Sequence, residues 1–183
     1  DGTQEDLILK VACDLAHNDR LDAEGDVLAN LRHQNIVEYR RTLSVAGRTA
    51  LLMRSAGPKT LAQKIKDDGR LSLDLLQRCG EALIELVTYL EAPGVAHRDL
   101  KPENIGIGEA SSRKLQLVLF DFSLCRTSAD NITAGTHPYL DPFLSLRKPP
   151  RWDLYAERFA LAVTLYEMAV SKSPVWGDGL TSP

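Results

Sequence analysis

The sequence predicts an α+β fold in two unequal parts, a small strand-rich one followed by a larger, mainly helical one. Three observations predict it. Short apolar runs with β-branched residues crowd the first 55 positions. A breaker cluster, AGPK at 56–59, then interrupts the pattern and marks a hinge over 56–60. Beyond it, apolar residues recur at helical spacing over 61–183. The 183 residues suit one domain with a sizeable core.

Each element has its own signal. Leu7 to Ala12, LILKVA, is short and apolar enough for a strand that carries Lys10. Asp22 to Leu31 places Ala23, Val27, Leu28 and Leu31 on one helical face. HQNIVEY turns into a strand, and Gly47 signals a hairpin before the strand TALLM. Past the hinge, Leu61 to Ile65 is a short helix. Ser72 can cap a helix from Leu73 to Glu91, which APG then stops. KLQLVLFDF, 114–122, is a strand, and Ser123 to Pro150 is polar and irregular. YAERFALAVTLYEMAV, 155–170, is apolar nearly all round and predicts a helix buried in the larger part.

Composition narrows the function. Apolar residues make up 44% and charged residues 26%, the usual globular balance. A net charge of −3 gives no electrostatic case for nucleic acid or an anionic membrane. Cys13, Cys79 and Cys125 are widely spaced and outside any CxxC pattern. That speaks against a disulfide framework or structural zinc site and for a reducing cytoplasm. The longest apolar stretch, Phe159 to Val170, contains Glu167 and is too short to span a bilayer. The chain opens on DGTQEDLILK without a starting Met and stops on GLTSP, so both ends read as cuts through a longer, multidomain chain.

The chemistry concentrates in GVAHRDLKPENIGI, 94–107. His97 to Asn104 gather a His, an Arg, two acids, a Lys, a Pro and an Asn in eight positions. Phosphoryl transfer asks for such a mixture: metal ions on the phosphates, a cation on the nucleotide and a carboxylate near the attacking hydroxyl. HRDLKPEN matches the H-R-D-L-x-x-x-N catalytic loop of protein kinases. DFS at 121–123 lies 17 residues beyond Asn104, where kinases carry D-F-G. LILK ends in a strand Lys. Glu24 sits on the next helix, nine residues before HQNIV, and GTHPYLDP, 135–142, is similar to the end of an activation segment. The chain resembles the eukaryotic-like Ser/Thr protein kinases over nearly its whole length. The implied fold is two-lobed and protein-kinase-like, with an incomplete N-lobe.

The resemblance implies roles residue by residue. Lys10 would hold the α- and β-phosphates of ATP and pair with Glu24. Asp99 would orient or accept the proton of the attacking hydroxyl. Lys101 would steady the transferring phosphoryl group, and Thr136 would brace Asp99 and Lys101. Asn104 and Asp121 would hold Mg²⁺ through oxygen. His97 would be structural. Met53 would line the back of the nucleotide pocket, and Arg54 to Ala56 would offer hinge backbone to adenine, with the Arg54 side chain in water. Lys101 and Thr136 resemble the Ser/Thr branch, so the implied partner is a protein with a Ser or Thr acceptor.

The sequence also departs from the family. A Gly-rich loop should precede Lys10, and only nine residues do. The last helices are absent. Ser123 replaces the Gly of D-F-G, and Phe143 stands where the Glu of A-P-E belongs. Glu157 falls where a buried Asp normally supports the catalytic loop, with Asp153 as the rival. Ile8 takes the place of a small residue above adenine, and Gly106 that of a bulky one below. The pair reads as a large roof over a small floor that conserves the slot's volume, with adenine sitting lower. In the family an Arg such as Arg98 often receives a phosphate from the activation segment, for which Thr127, Ser128 and Thr133 are available, but the segment from Asp121 to Pro142 is short enough to be ordered without one.

Three readings follow: a Ser/Thr protein kinase, a pseudokinase acting as a nucleotide-binding or scaffolding module, and a small-molecule phosphotransferase. The complete set Lys10, Glu24, Asp99, Lys101, Asn104 and Asp121 favours the first. The changes at Ser123, Phe143 and Glu157 favour the second. Thr136 and Lys101 speak against the third. The run 151–179 is similar in texture to the kinase region of large bacterial phage-defence kinases of the BREX and Pgl type, which fits a chain cut at both ends.

Overall fold

Leu7–Val11 forms β1, and its residues pair antiparallel with β3, Arg48–Arg54, from Leu7 opposite Arg54 to Val11 opposite Ala50. The structure is a computed structural model that describes residues 5–109 and 115–175. β2, Tyr39–Val45, pairs with the other edge of β3, so the strand order is β1-β3-β2. The β2–β3 hairpin turns on Ala46 and Gly47, both at positive φ (50° and 78°), the turn geometry that matches strand twist. Between β1 and β2 lies α1, Asn18–Asn30, entered through a short 3₁₀ turn at Leu15–His17. Its inner face carries Leu21, Glu24, Val27 and Leu28. The helix therefore starts four residues before Asp22, because the polar turn NDR continues it without disturbing the apolar face.

HQNIVEY becomes a strand only at Tyr39. Its earlier residues cross to the second sheet: Val37 N–H donates to Leu119 O and Leu119 N–H to Asn35 O, at 2.9 and 2.8 Å. The Asn35 side chain adds a bond to Leu117 O at 2.7 Å.

The second sheet has the order β4-β5-β6, from Lys59–Thr60, Ile105–Glu109 and Leu115–Leu119. Lys114, at the start of the expected strand, lies outside the described residues. β4 belongs to the segment expected to be hinge alone, and Ile105–Glu109 carries too many glycines to look like a strand. α2, Leu61–Asp68, runs one turn past Ile65 and is held by a capping box between Thr60 and Gln63. α3, Leu73–Glu91, has the expected limits, with Ser72 accepting from Leu75 N–H. α4, Leu154–Val170, packs on α3. It buries Ala156, Glu157, Ala160, Leu161, Val163, Thr164 and Met168, while Tyr155 and Tyr166 are exposed, so it is buried on one face rather than all round. Residues 176–179 of the run that includes this helix lie outside the described residues. No described helix is long and apolar enough to cross a membrane.

Candidate active site

A cleft of about 220 Å³ lies where the two sheets meet. Ile8, Met53, Arg54, Ala56 and Gly106 all line it. Val37 and Phe120 line it too and were not foreseen; Phe120 could have been, since it directly precedes Asp121. The Arg54 side chain is exposed beside Glu38, at 3.8 Å. Gly106 has a different reason from volume conservation. A Cβ there would stand 2.2 Å from Ala56 O and 2.6 Å from Ala56 Cβ. The hinge backbone itself fills the place below the slot, and Ile8 above is half-exposed. The expectation of a large roof compensating for an empty floor is thus corrected.

Two residues along β1 from Ile8, Lys10 Nζ donates to both oxygens of Glu24, at 2.9 and 2.6 Å, and to Asp121 Oδ1 at 2.7 Å. β1 supplies the Lys, α1 the buried Glu and the turn after β6 the Asp. Burial lifts the Glu24 carboxyl above its ordinary range, against the pull of Lys10. Burial also acts to raise Asp121, but the bonded Lys10 ammonium, together with smaller pulls that include the Ser123 side chain, holds that carboxyl below the usual range.

The second cluster surrounds Asp99. Thr136 Oγ donates to Asp99 Oδ1 at 2.7 Å and accepts from Lys101 Nζ at 2.5 Å. Lys101 also donates to Asp99 Oδ2 at 2.7 Å. Asn104 gives its two amide hydrogens to Asp99, one to the carbonyl at 2.9 Å and one to Oδ2 at 3.0 Å. A single 3₁₀ turn, Pro102–Asn104, brings Asn104 back over Asp99, and Pro at its first position presets φ. Lys101, Asn104 and Thr136 therefore converge on one carboxylate.

The expected structural role of His97 fits its surroundings. It is fully buried, edge-on to Phe122 at 4.7 Å, and burial lowers its pKa. Its Nδ1 accepts from Asp99 N–H at 3.3 Å, so Nε2 carries the proton and donates to Phe120 O at 2.9 Å. The ring thus ties the catalytic loop to the strand that delivers Asp121. Between the two rival acids, the geometry selects Glu157: its Oε2 accepts from Arg98 N–H at 3.0 Å. Asp153 instead caps α4.

These residues fit a hard divalent cation. With both amide hydrogens of Asn104 engaged, its oxygen is left as a donor, and Asp121 remains an ionised carboxylate with lone pairs beyond the one given to Lys10.

The protein kinase domain family matches residues 8–182. The chain belongs to the protein kinase family. It is 36% identical to "Probable kinase PglW" of Streptomyces coelicolor over 96% of this chain and 13% of that protein. It is 32% identical to "Serine/threonine-protein kinase SRK2D" of Arabidopsis thaliana over 79% of this chain and 40% of the relative. It is 28% identical to "Serine/threonine-protein kinase 36" of Pongo abelii over 87% of this chain and 12% of the relative. The chain thus spans between 12% and 40% of the length of these relatives.

Two departures of this kinase domain acquire structural partners. Phe143 is exposed and makes no ion pair among the described residues. Two residues earlier, Asp141 is buried and accepts from Arg147 at 2.8 Å, while the same guanidinium grips Asp153 at 2.5 and 3.1 Å. Ser123 accepts from Arg20 of α1.

Proposed function

We propose that this domain transfers the γ-phosphoryl group of ATP to Ser or Thr hydroxyls of a protein. The observation that carries this reading is the cluster on Asp99. Thr136 and Lys101 fix its carboxylate in one orientation, and Lys101, bonded beside it, would offer a cation to the transferring phosphoryl group. A module that only binds nucleotide has no use for this base.

The substrate hydroxyl would give its proton to Asp99 as its oxygen bonds to the γ-phosphorus and the bond to ADP breaks. Lys10, braced by Glu24, would hold the α- and β-phosphates. Asn104 and Asp121 would hold Mg²⁺, which, when bound, offsets charge on the phosphate oxygens. Met53 and the Arg54–Ala56 backbone would receive adenine. The 56–60 segment would act as the hinge between a 1–55 lobe and a 61–183 lobe.

A pseudokinase reading draws on Ser123, Phe143 and Glu157. Each has a structural substitute nearby: Arg20 bonds Ser123, Arg147 links Asp141 to Asp153, and Glu157 reaches Arg98 N–H. The enzyme reading is therefore preferred. Similarity to the Streptomyces relative and the texture of 151–179 support a kinase part within a longer chain of Pgl type. Three free cysteines suit the cytoplasm.

The test is phosphate transfer from γ-labelled ATP with Mg²⁺ in the full-length protein, against Asp99→Asn. Incorporation that disappears in the variant is expected. Nucleotide binding without Asp99-dependent incorporation would overturn the enzyme reading in favour of the pseudokinase.

A further inference from the structure

α1 holds three consecutive residues of the chain after β6. Lys10, which Glu24 braces, bonds Asp121 at 2.7 Å. Glu24 Oε1 accepts from Phe122 N–H at 3.1 Å. Arg20, one helical turn before Glu24, reaches Ser123 twice: Nε donates to its carbonyl at 3.1 Å and a terminal nitrogen to its hydroxyl at 3.0 Å. Residues four apart share a helix face, so Arg20 and Glu24 lie one above the other and meet successive positions of the segment. The second Arg20 bond exists only because residue 123 has a hydroxyl. Ser123 also interacts with the Asp121 carboxyl and helps to hold it low. Asp121 itself stands at φ 65°, in the left-handed region, where a non-glycine residue needs its neighbours to keep it.

We infer that Arg20 and Ser123 form a clamp that positions Asp121 for the cation, so Ser123 is a working part of this site rather than a degraded glycine. The inference rests on the nucleotide-binding reading above and does not require phosphoryl transfer. Arg20 is exposed, so its removal leaves the core intact. Its fork matches carbonyl and hydroxyl together, which a lysine cannot do.

The experiment is a double-mutant cycle in the full-length protein with Arg20→Ala, Ser123→Gly and both. Mg–ATP affinity is measured by calorimetry, and deuterium uptake at 121–125 is followed without nucleotide. Either single change is expected to weaken Mg–ATP binding about three- to tenfold. The double variant should be no worse than the worse single one, and ATP binding in EDTA should be unaffected. Uptake at 121–125 should rise in all three variants, no more in the double variant than in Arg20→Ala, which loses both bonds. Additive losses, or a Ser123→Gly variant that binds as well as or better than the parent, would overturn the clamp. Should the parent bind no Mg–ATP, the functional reading fails. The clamp is then judged on exchange alone: a rise in Arg20→Ala that the double variant does not exceed supports it, and unchanged uptake in Arg20→Ala sinks it.

Discussion

The main-chain N–H of Arg98 donates to Oε2 of Glu157 at 3.0 Å, deep inside the larger lobe. Arg98 stands at φ 68°, a left-handed conformation that this contact helps to fix, and Asp99 follows directly. Burial pushes the Glu157 carboxyl up to about 7, although the Arg98 N–H pulls the other way. Its Oε1 is buried and has no hydrogen-bond partner among the described residues, which leaves it free to carry the proton.

The sign of the pH effect follows. A carboxyl raised from 4.5 to about 7 binds its proton more tightly in the folded state. Its contribution to stability is full below about 4.5 and is lost as pH rises through 7. The loss is at most roughly 3 kcal/mol, from about 1.4 kcal/mol per unit. Glu157→Gln keeps the acceptor and cannot titrate. Urea unfolding of both proteins from pH 5 to 8 should show the variant gaining on the parent as pH rises. Parallel curves would show that Glu157 does not titrate in that window.

Arg98 also bears on regulation. Its guanidinium donates to the carbonyls of Thr127, Ser128 and Asn131 at 2.5, 2.8 and 2.8 Å and lies over the Trp152 ring at 5.0 Å. The sequence leaves two possibilities for this Arg, a phosphate or a segment ordered without one; here the activation-segment backbone occupies the guanidinium. A phosphate on Thr127, Ser128 or Thr133 would have to displace those carbonyls. The triple Thr127→Ala, Ser128→Ala, Thr133→Ala variant should keep activity within about threefold of the parent, a change below one neutral hydrogen bond. Arg98→Ala should lose at least about tenfold in kcat, since three charge-assisted bonds go. A phosphatase-sensitive parent and an inactive triple variant would restore the phosphate-receiving role.

Much of this site was legible because its residues are close in sequence or fixed in order. Asp99, Lys101 and Asn104 share one loop, and Lys10, Glu24 and Asp121 follow the expected order, so their convergence is legible in the sequence itself. The α3 limits were legible because Ser72 and APG mark both ends chemically. What escaped depends on chain approach in space. Gly106 reads as a small floor until Ala56 O is found against it. β4 is two residues long, and β5 is glycine-containing, so neither has a strand pattern of its own. Arg20, Arg147 and Trp152 belong to no motif; their roles come from partners 6 to 103 positions away.

Arg147 joins Asp141, near the end of the activation segment, to Asp153, the cap of α4. Asp141 is buried, and without Arg147 its carboxylate would lose its counter-charge. Asp153 is partly exposed and its share is screened. Arg147→Ala should cost roughly 1–3 kcal/mol, the range for bonds to charged groups. Arg147→Lys should recover part of this, because a point charge cannot fork between two acids. Thermal unfolding checks both; equal melting temperatures for parent and Ala variant would mean the bracket carries no stability.

Gly106 provides the sharpest distinction between a floor that can be filled and one already filled. A volume-conserving slot would welcome a larger residue there and bind adenine more tightly. The structure gives the opposite sign, since even one Cβ meets Ala56 O at 2.2 Å and Ala56 C at 2.8 Å. Backbone atoms cannot swing aside as a side-chain tip can, so the 56–58 segment must move. Gly106→Ala should therefore destabilise by about 1–3 kcal/mol, the usual range for overpacking, and weaken ATP binding because Arg54 to Ala56 shift with it. Gly106→Leu should be worse on both counts. Urea unfolding and nucleotide titration on the two variants decide it: tighter binding with unchanged stability would return the small-floor explanation.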